Sequence, residues 1–199
     1  MSEILAINNF YSDPERIREL ALAFEYWPST SHPTGGNWPG VRSKYLSEIA
    51  PGIFDEFTTN IYNFYGWDQS KRVHFETNFQ ICREKDGKSW VHQDIMVQNH
   101  THVLILFLTP DPSPNSGTIF YNRKPDVNEN EYKQNDGDPK YYDVKEVFEN
   151  VYNKAALYNP DEFHKSDTYF GESFRDSRLS QICFFREEGV SGKFSLPLK

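Results

Sequence analysis

Cysteine is almost missing from this chain: Cys82 and Cys183 are the only two in 199 residues. A pair about a hundred positions apart builds neither a disulfide framework nor a CxxC metal pattern, and it suits a reducing compartment. No run of lysine and arginine occurs, and the net charge is -8. A surface that tracks phosphates needs a basic stripe, so nucleic acid is not an expected partner. No window approaches the ~20 apolar residues that cross a bilayer, so no membrane partner is expected either. The opening "MSEILAINNFYSDPERIREL" has no charged segment leading into an apolar run, so no signal peptide is expected. Together these absences point to a cytoplasmic protein.

What the chain has in quantity is aromatic residues: sixteen Phe, twelve Tyr and four Trp bring the aromatic share to 16%. That favours strands packed on a few helices. After an apolar segment from Ile4 to Phe10, Asp13 and Pro14 form an N-cap and first-turn pair. Ile17, Leu20, Ala21 and Phe24 then repeat at helical spacing, and Pro28 stops the run. A Gly- and Pro-rich loop, "STSHPTGGNWPGVRSKY", leads to a second helix lined by Ile53, Phe54, Phe57, Ile61, Phe64 and Tyr65 and closed by Gly66. From His74 the period becomes two. "VHFETNFQICR", "THVLILFLTP", "GTIFYN", "KAALYN" and "RLSQICFFRE" read as strands, with Phe75, Thr77, Phe79 and Ile81 sharing one side of the first. The polar stretch 123–153 reads as an inserted loop with a short helix around Val144 to Tyr152. The pattern predicts an α+β, mostly β chain: an antiparallel jelly roll supported by N-terminal helices.

The stretch "SWVHQDIMVQN" reads as a further strand, and it puts His92 and Asp94 two positions apart. In a strand, i and i+2 side chains point the same way, roughly 6.6 Å apart. With His164 of "YNPDEFHKSD" as a third ligand from a neighbouring segment, two histidines and one carboxylate would leave half of a metal's sphere open. Such a set marks non-haem Fe(II) oxygenases. A zinc hydrolase more often carries HExxH or clustered cysteines, and neither occurs. Four other histidines serve as controls and read as structural or solvated. His100 and His102 share the same spacing but enter an apolar strand, His74 has no carboxylate partner nearby, and His32 sits in the Gly/Pro-rich loop.

The order of the segments is specific. An HxD pair is followed by "VLILFLTPDPSPNSGTIFY", then "ALYNPDEFHKS", then "SRLSQICFF". In that order, over about residues 74 to 187, the chain resembles the 2-oxoglutarate- and Fe(II)-dependent oxygenases, in particular their prolyl 4-hydroxylase-like branch. The resemblance implies a double-stranded β-helix in a single domain over 1–199, with helical support and loop over 1–70, a jelly-roll core over 74–187 and an insert over 123–153. It implies that His92, Asp94 and His164 bind Fe(II), and that Arg178, with Ser180 beside it, binds 2-oxoglutarate; Arg175 is the rival for the basic role. It implies a dioxygenase that consumes O2, converts 2-oxoglutarate to succinate and CO2, and hydroxylates a peptidyl residue, proline ahead of others, with ascorbate as a stimulant. A free amino acid or small metabolite is the alternative substrate, and a non-catalytic jelly-roll binding module the alternative class. The loops 29–42 and 123–153 are candidates to flank the barrel mouth. Trp90, Phe107, Phe120 and Phe184 are candidates for its shielding walls. Two departures stand out: Phe107 falls where that branch often carries a co-substrate Tyr, and Arg83 near where it places another.

Overall fold

The computed structural model describes residues 4–33, 36–95, 100–128, 130–131 and 137–188. Its first elements are β1 (Leu5–Ile7), α1 (Pro14–Leu22), two short strands β2 (Trp27–Pro28) and β3 (Val41–Arg42), α2 (Leu46–Ile49) and α3 (Pro51–Tyr65). Then come β4 (Val73–Cys82), β5 (His102–Phe107), β6 (Thr118–Arg123), β7 (Tyr142–Phe148), β8 (Ala155–Tyr158), β9 (Phe163–Ser166) and β10 (Arg178–Glu187). Seven strands pair in the order β1-β8-β5-β10-β4-β3-β2, and β7-β6-β9 form a second, smaller sheet.

Local signals set the helices. The Asp13 side chain accepts from the Arg16 amide at 3.1 Å at the start of α1, and Gly66 closes α3 with a φ of 63°. The buried face of α1 differs from expectation. Leu20 is 41% exposed, whereas Arg18 is buried and donates to the Leu108 carbonyl at 2.7 Å and to the Arg175 carbonyl. This guanidinium ties α1 to the end of β5 and to the segment entering β10, turning Leu20 outward.

The period of two explains the layers. Along β4 and β10, which pair over their full length, Phe75, Phe79, Ile81, Leu179, Cys183 and Phe185 pack toward the helices. Leu104, Leu106, Ala155 and Leu157 of β5 and β8 join the same core. The alternate positions face the other sheet: Val103, Ile105, Phe107, Ala156 and Tyr158 form a second core with Phe120 and Phe148. Burying a Phe or Leu contributes about 1.5–3 kcal/mol, so both faces of these central strands stabilise the fold. Cys82 and Cys183 are both buried free thiols, with burial pushing the first up to about 11 and the second well above its ordinary value.

Two further segments depart from the sequence reading. The helix expected around Val144 to Tyr152 is replaced by β7. A bulge against β6 pairs Phe120 with Glu146 and Tyr121 with Val144, leaving Lys145 as an extra residue. The extra residue breaks the alternation, so that Val144 and Val147 are exposed while Tyr142 and Phe148 are buried. The loop 29–42 is also not all loop, since its end supplies β3, an added strand beside β4. Gly40, with a φ of 71°, makes that approach possible: a Cβ there would overlap the Ile81 carbonyl oxygen. Gly40→Ala is expected to destabilise the protein by at least ~1–3 kcal/mol, read as a lower urea midpoint. A wild-type midpoint would show that β3 has no fixed seat on β4.

Candidate metal centre

The segment carrying His92 and Asp94 is extended without being a strand. His92 makes one isolated bridge, donating its amide to the His164 carbonyl at 3.0 Å and accepting from the His164 amide at 2.9 Å. The Asp94 amide donates to the Pro160 carbonyl at 2.8 Å, and the Gln93 side chain donates to the Asp161 carbonyl at 2.6 Å. The convergence of His92 and Asp94 thus comes from this docking and not from strand alternation. His164 follows β8 and lies in a further short strand. It sits within β9, opposite Phe120 of β6, in the four-residue stretch "FHKS" that has no alternating apolar signal.

The three side chains meet. His164 Nε2 lies 3.3 Å from Asp94 Oδ2, His92 Nε2 lies 3.8 Å from Asp94 Oδ1, and all three ligand atoms fall within 4.8 Å of one another. Both tautomers are fixed from behind: His92 Nδ1 is 2.9 Å from the Trp90 carbonyl and His164 Nδ1 is 2.9 Å from the Glu162 carbonyl. With Nδ1–H donating to these oxygens, each Nε2 presents its lone pair to the centre, as metal-ligating imidazoles do. The Tyr158 hydroxyl lies 3.2 Å from His164 Nε2. Sequence reasoning missed Tyr158; its only signal was the alternation with Ala156 that turns it inward on β8.

Electrostatics bind the three into one unit. Burial opposes the Asp94 charge, but the imidazoles of His164 and His92 outweigh it and hold the carboxyl below its ordinary range. Burial likewise opposes an imidazolium at His164, yet Asp94 outweighs it and raises that pKa. His92 is pushed the other way, by burial and by the neighbouring His164 charge.

The cavity beside the triad measures about 470 Å³. Its walls include Trp38, Arg42, Glu76, Asn78, Gln80 and Trp90, with Val103, Ile105, Ile182 and Phe184 as apolar surface. The loop that ends in β3 thus borders it, and so do two of the four aromatic residues proposed as walls. Phe120 instead lies beside His164, its ring tilted and the centroids 6.0 Å apart, and Phe107 lies under the Arg178 guanidinium at 5.2 Å. Arg178 and Ser180 are not among the lining residues, though they share the inner face of β10 with Ile182. Arg178 is buried, donates Nε–H to the Ser116 carbonyl at 2.9 Å and has Nη1 3.5 Å from Ser180 Oγ. Its Nη2 is buried with no hydrogen-bond partner among the described residues. Arg175 is elsewhere, in a bidentate surface pair with Glu19 at 2.7 Å for each bond. Arg83 pairs with Asp86 in its own turn.

The control histidines divide. His102 is a core residue stacked on Phe185 at 4.4 Å, and burial lowers its pKa to about 3. His32 is bonded to the Ser43 carbonyl at 3.0 Å. His74, however, does have a carboxylate beside it: Glu76 at 3.2 Å, and together with His100 these form a second His–Glu–His group.

With this geometry, the fold is the double-stranded β-helix of 2-oxoglutarate/Fe(II) oxygenases. HygX from Streptomyces hygroscopicus, solved with nickel, 2-oxoglutarate and hygromycin B bound, is similar at 12% identity with a TM-score of 0.60, over 96% of this chain and 85% of that one. A Pseudomonas putida prolyl-4-hydroxylase aligns over 95% of both chains at 15% identity and a TM-score of 0.52. A prolyl hydroxylase from Trichoplax adhaerens, in complex with a hypoxia inducible factor peptide fragment, gives 8% identity and a TM-score of 0.56, over 93% of this chain and 84% of that one. The chain itself belongs to DUF6445, a family of unknown function, whose model matches residues 1–158. That match includes His92 and Asp94 and ends before His164. No curated protein matches the sequence. No helix of the described residues is long and apolar enough to cross a membrane.

The raised His164 pKa has a measurable sign. Its contribution to stability is complete below the ordinary imidazole value of 6.5 and is lost as pH rises through the raised value. Metal-free protein is therefore expected to lose melting temperature above pH 6.5, and Asp94→Asn to lose less over the same range. Parallel curves for the two proteins would mean that Asp94 does not hold the His164 proton.

Proposed function

We propose that this protein is a 2-oxoglutarate- and Fe(II)-dependent dioxygenase that hydroxylates its substrate. The observation that carries the reading is the His92–Asp94–His164 triad: three ligand atoms within 4.8 Å, both imidazoles held by carbonyls so that Nε2 faces inward, on one side of an open cavity. Two histidines and one carboxylate with open positions suit Fe(II), and the donor set lacks the thiolates that favour other metals. The co-substrate has a fitting anchor in Arg178, a buried guanidinium whose Nη2 has no partner among the described residues and whose fork matches a carboxylate. Ser180 adds a hydroxyl beside it.

Iron with 2-oxoglutarate and O2 would supply the oxidation of a C–H bond, coupled to formation of succinate and CO2. The chain's own residues do the rest. The carbonyls of Trp90 and Glu162 keep the protons of His92 and His164 on Nδ1, Tyr158 orients His164, and the Asp94 amide bond to Pro160 aims the carboxylate. Val103, Ile105, Ile182 and Phe184 keep water from part of the cavity wall. Phe107 provides an apolar seat under Arg178 and no hydroxyl.

A peptidyl residue, proline ahead of others, is the substrate favoured by likeness to the prolyl hydroxylases. A small molecule is the second reading, supported by a cavity whose volume suits one and by polar walls at Asn78 and Gln80. We place the activity in one catalytic domain and in the cytoplasm.

Succinate formation tests the reading directly. With Fe(II), ascorbate and 2-oxoglutarate, Asp94→Ala and His164→Ala are each expected to fall at least about 100-fold, a loss of roughly 2.7 kcal/mol in transition-state stabilisation. Wild-type rates in either variant would dismiss the triad. Arg178→Gln is expected to raise the 2-oxoglutarate KM at least tenfold, whereas Arg175→Gln leaves it unchanged; the reverse would exchange the two arginines.

A further inference from the structure

The cavity holds a positive charge that the triad and Arg178 do not account for. Arg42 on β3 faces inward, and its guanidinium lies over the Trp38 ring, 4.4 Å from the centroid. Its Nη2 donates to Gln80 Oε1 at 3.3 Å, and its Nε is buried with no hydrogen-bond partner among the described residues. Gln80 is itself held in place by donating to the Pro39 carbonyl at 2.7 Å. Among the described residues, no carboxylate forms an ion pair with Arg42. The negative charge that acts on it most is that of Asp94, which already serves two imidazoles.

Arg42 is half-buried, and a guanidinium partly withdrawn from water is stabilised by an anion that faces it. A divalent cation on Asp94 would weaken the largest nearby compensation and add positive charge of its own. The cavity therefore calls for an anionic group beyond the carboxylate that Arg178 suits. The sheet register separates the two arginines. Arg42 pairs with Gln80, and Gln80 pairs with Ser180, so β3, β4 and β10 set Arg42 and Ser180 on strands about 10 Å apart. Arg178 lies two residues further along β10.

We propose that Arg42, backed by Trp38 and Gln80, is the anchor for an anionic group, a carboxylate or phosphate, on the molecule that this enzyme oxidises. That the ligand is oxidised rests on the function proposed above; the anion site itself does not. Asn78 and Tyr45 line the same wall and offer further polar contacts to the rest of the ligand. In this arrangement Arg42 selects for a free acid over a neutral, chain-internal residue.

Calorimetric titration with N-acetyl-L-proline, its neutral analogue N-acetyl-L-prolinamide and inorganic phosphate tests the proposal, with the protein both metal-free and loaded with Mn(II) and 2-oxoglutarate. Wild-type protein is expected to bind the free acid at least tenfold more tightly than the amide, and phosphate binding would extend the anchor to phosphorylated ligands. Arg42→Gln should abolish that preference while leaving the 2-oxoglutarate affinity within threefold. Arg42→Lys should keep part of it, which separates lost charge from lost fold. Arg178→Gln should lose 2-oxoglutarate binding and keep the acid preference. Equal binding of acid and amide by wild-type protein overturns the proposal, as does a preference that survives in Arg42→Gln. A loss of 2-oxoglutarate binding in Arg42→Gln also overturns it, by making Arg42 the co-substrate anchor. If loaded wild-type protein binds no 2-oxoglutarate, the oxygenase reading falls, and the metal-free titration still decides the anion site.

Discussion

Two backbone hydrogen bonds exchanged between His92 and His164 hold the candidate centre together. Each is worth only about 0.5–1.5 kcal/mol net. Their effect on geometry is larger than their energy, because they set the register between an irregular segment and β9. A slip of one residue along β9 would turn His164 to the opposite face and put Lys165 in its place. The bonds from Asp94 to Pro160 and from Gln93 to Asp161 extend the same clamp. The Lys145–Glu162 ion pair, at 2.6 Å, ties the turn before β9 to β7. The three-stranded sheet, with its bulge, thus serves mainly to hold one histidine against one short segment.

The larger sheet divides its labour by side-chain parity. One face of β4 and β10 packs on the helices with Phe79, Ile81, Leu179 and Phe185 and carries the stability of the domain. The other face bears Glu76, Asn78 and Gln80, which line the cavity, and the buried pair Arg178 and Ser180, side chains that weaken an apolar core. Because the same backbone supports both, the polar face is held as rigidly as the apolar one. Even Gln181, on the helix side, is fixed, accepting from the Tyr11 hydroxyl at 2.7 Å and donating to Thr77 at 3.1 Å.

Helix caps and long strands were legible from sequence because their signals are local. Asp13, Pro14 and Gly66 mark helix ends, and "RLSQICFFRE" carries a central apolar and aromatic run. Segments governed by distant partners were not legible. β9 is too short and polar to announce itself, β7 hides its alternation behind a bulge, and the extended segment at His92 depends on β9. The site followed the same division. His92, Asp94 and His164 stand out through the order of their motifs. Tyr158 and Arg42 acquire meaning only when β8 turns a hydroxyl onto His164 and when β3 pairs with Gln80. The partner of His74 was two residues away in the sequence, and it was missed because His74 was judged apart from the strand face it shares with Glu76.

The two thiols occupy neighbouring strands of a single β4–β10 ladder, Cys82 opposite Arg178 at one end and Cys183 opposite Thr77 near the middle, and burial keeps both protonated. A protonated, enclosed thiol is a poor nucleophile toward alkylating reagents and peroxides alike. The chain therefore carries its own clock for the opening of the helix-facing core: carbamidomethylation of Cys183, enclosed there, can proceed only when that core parts, so its rate counts those events.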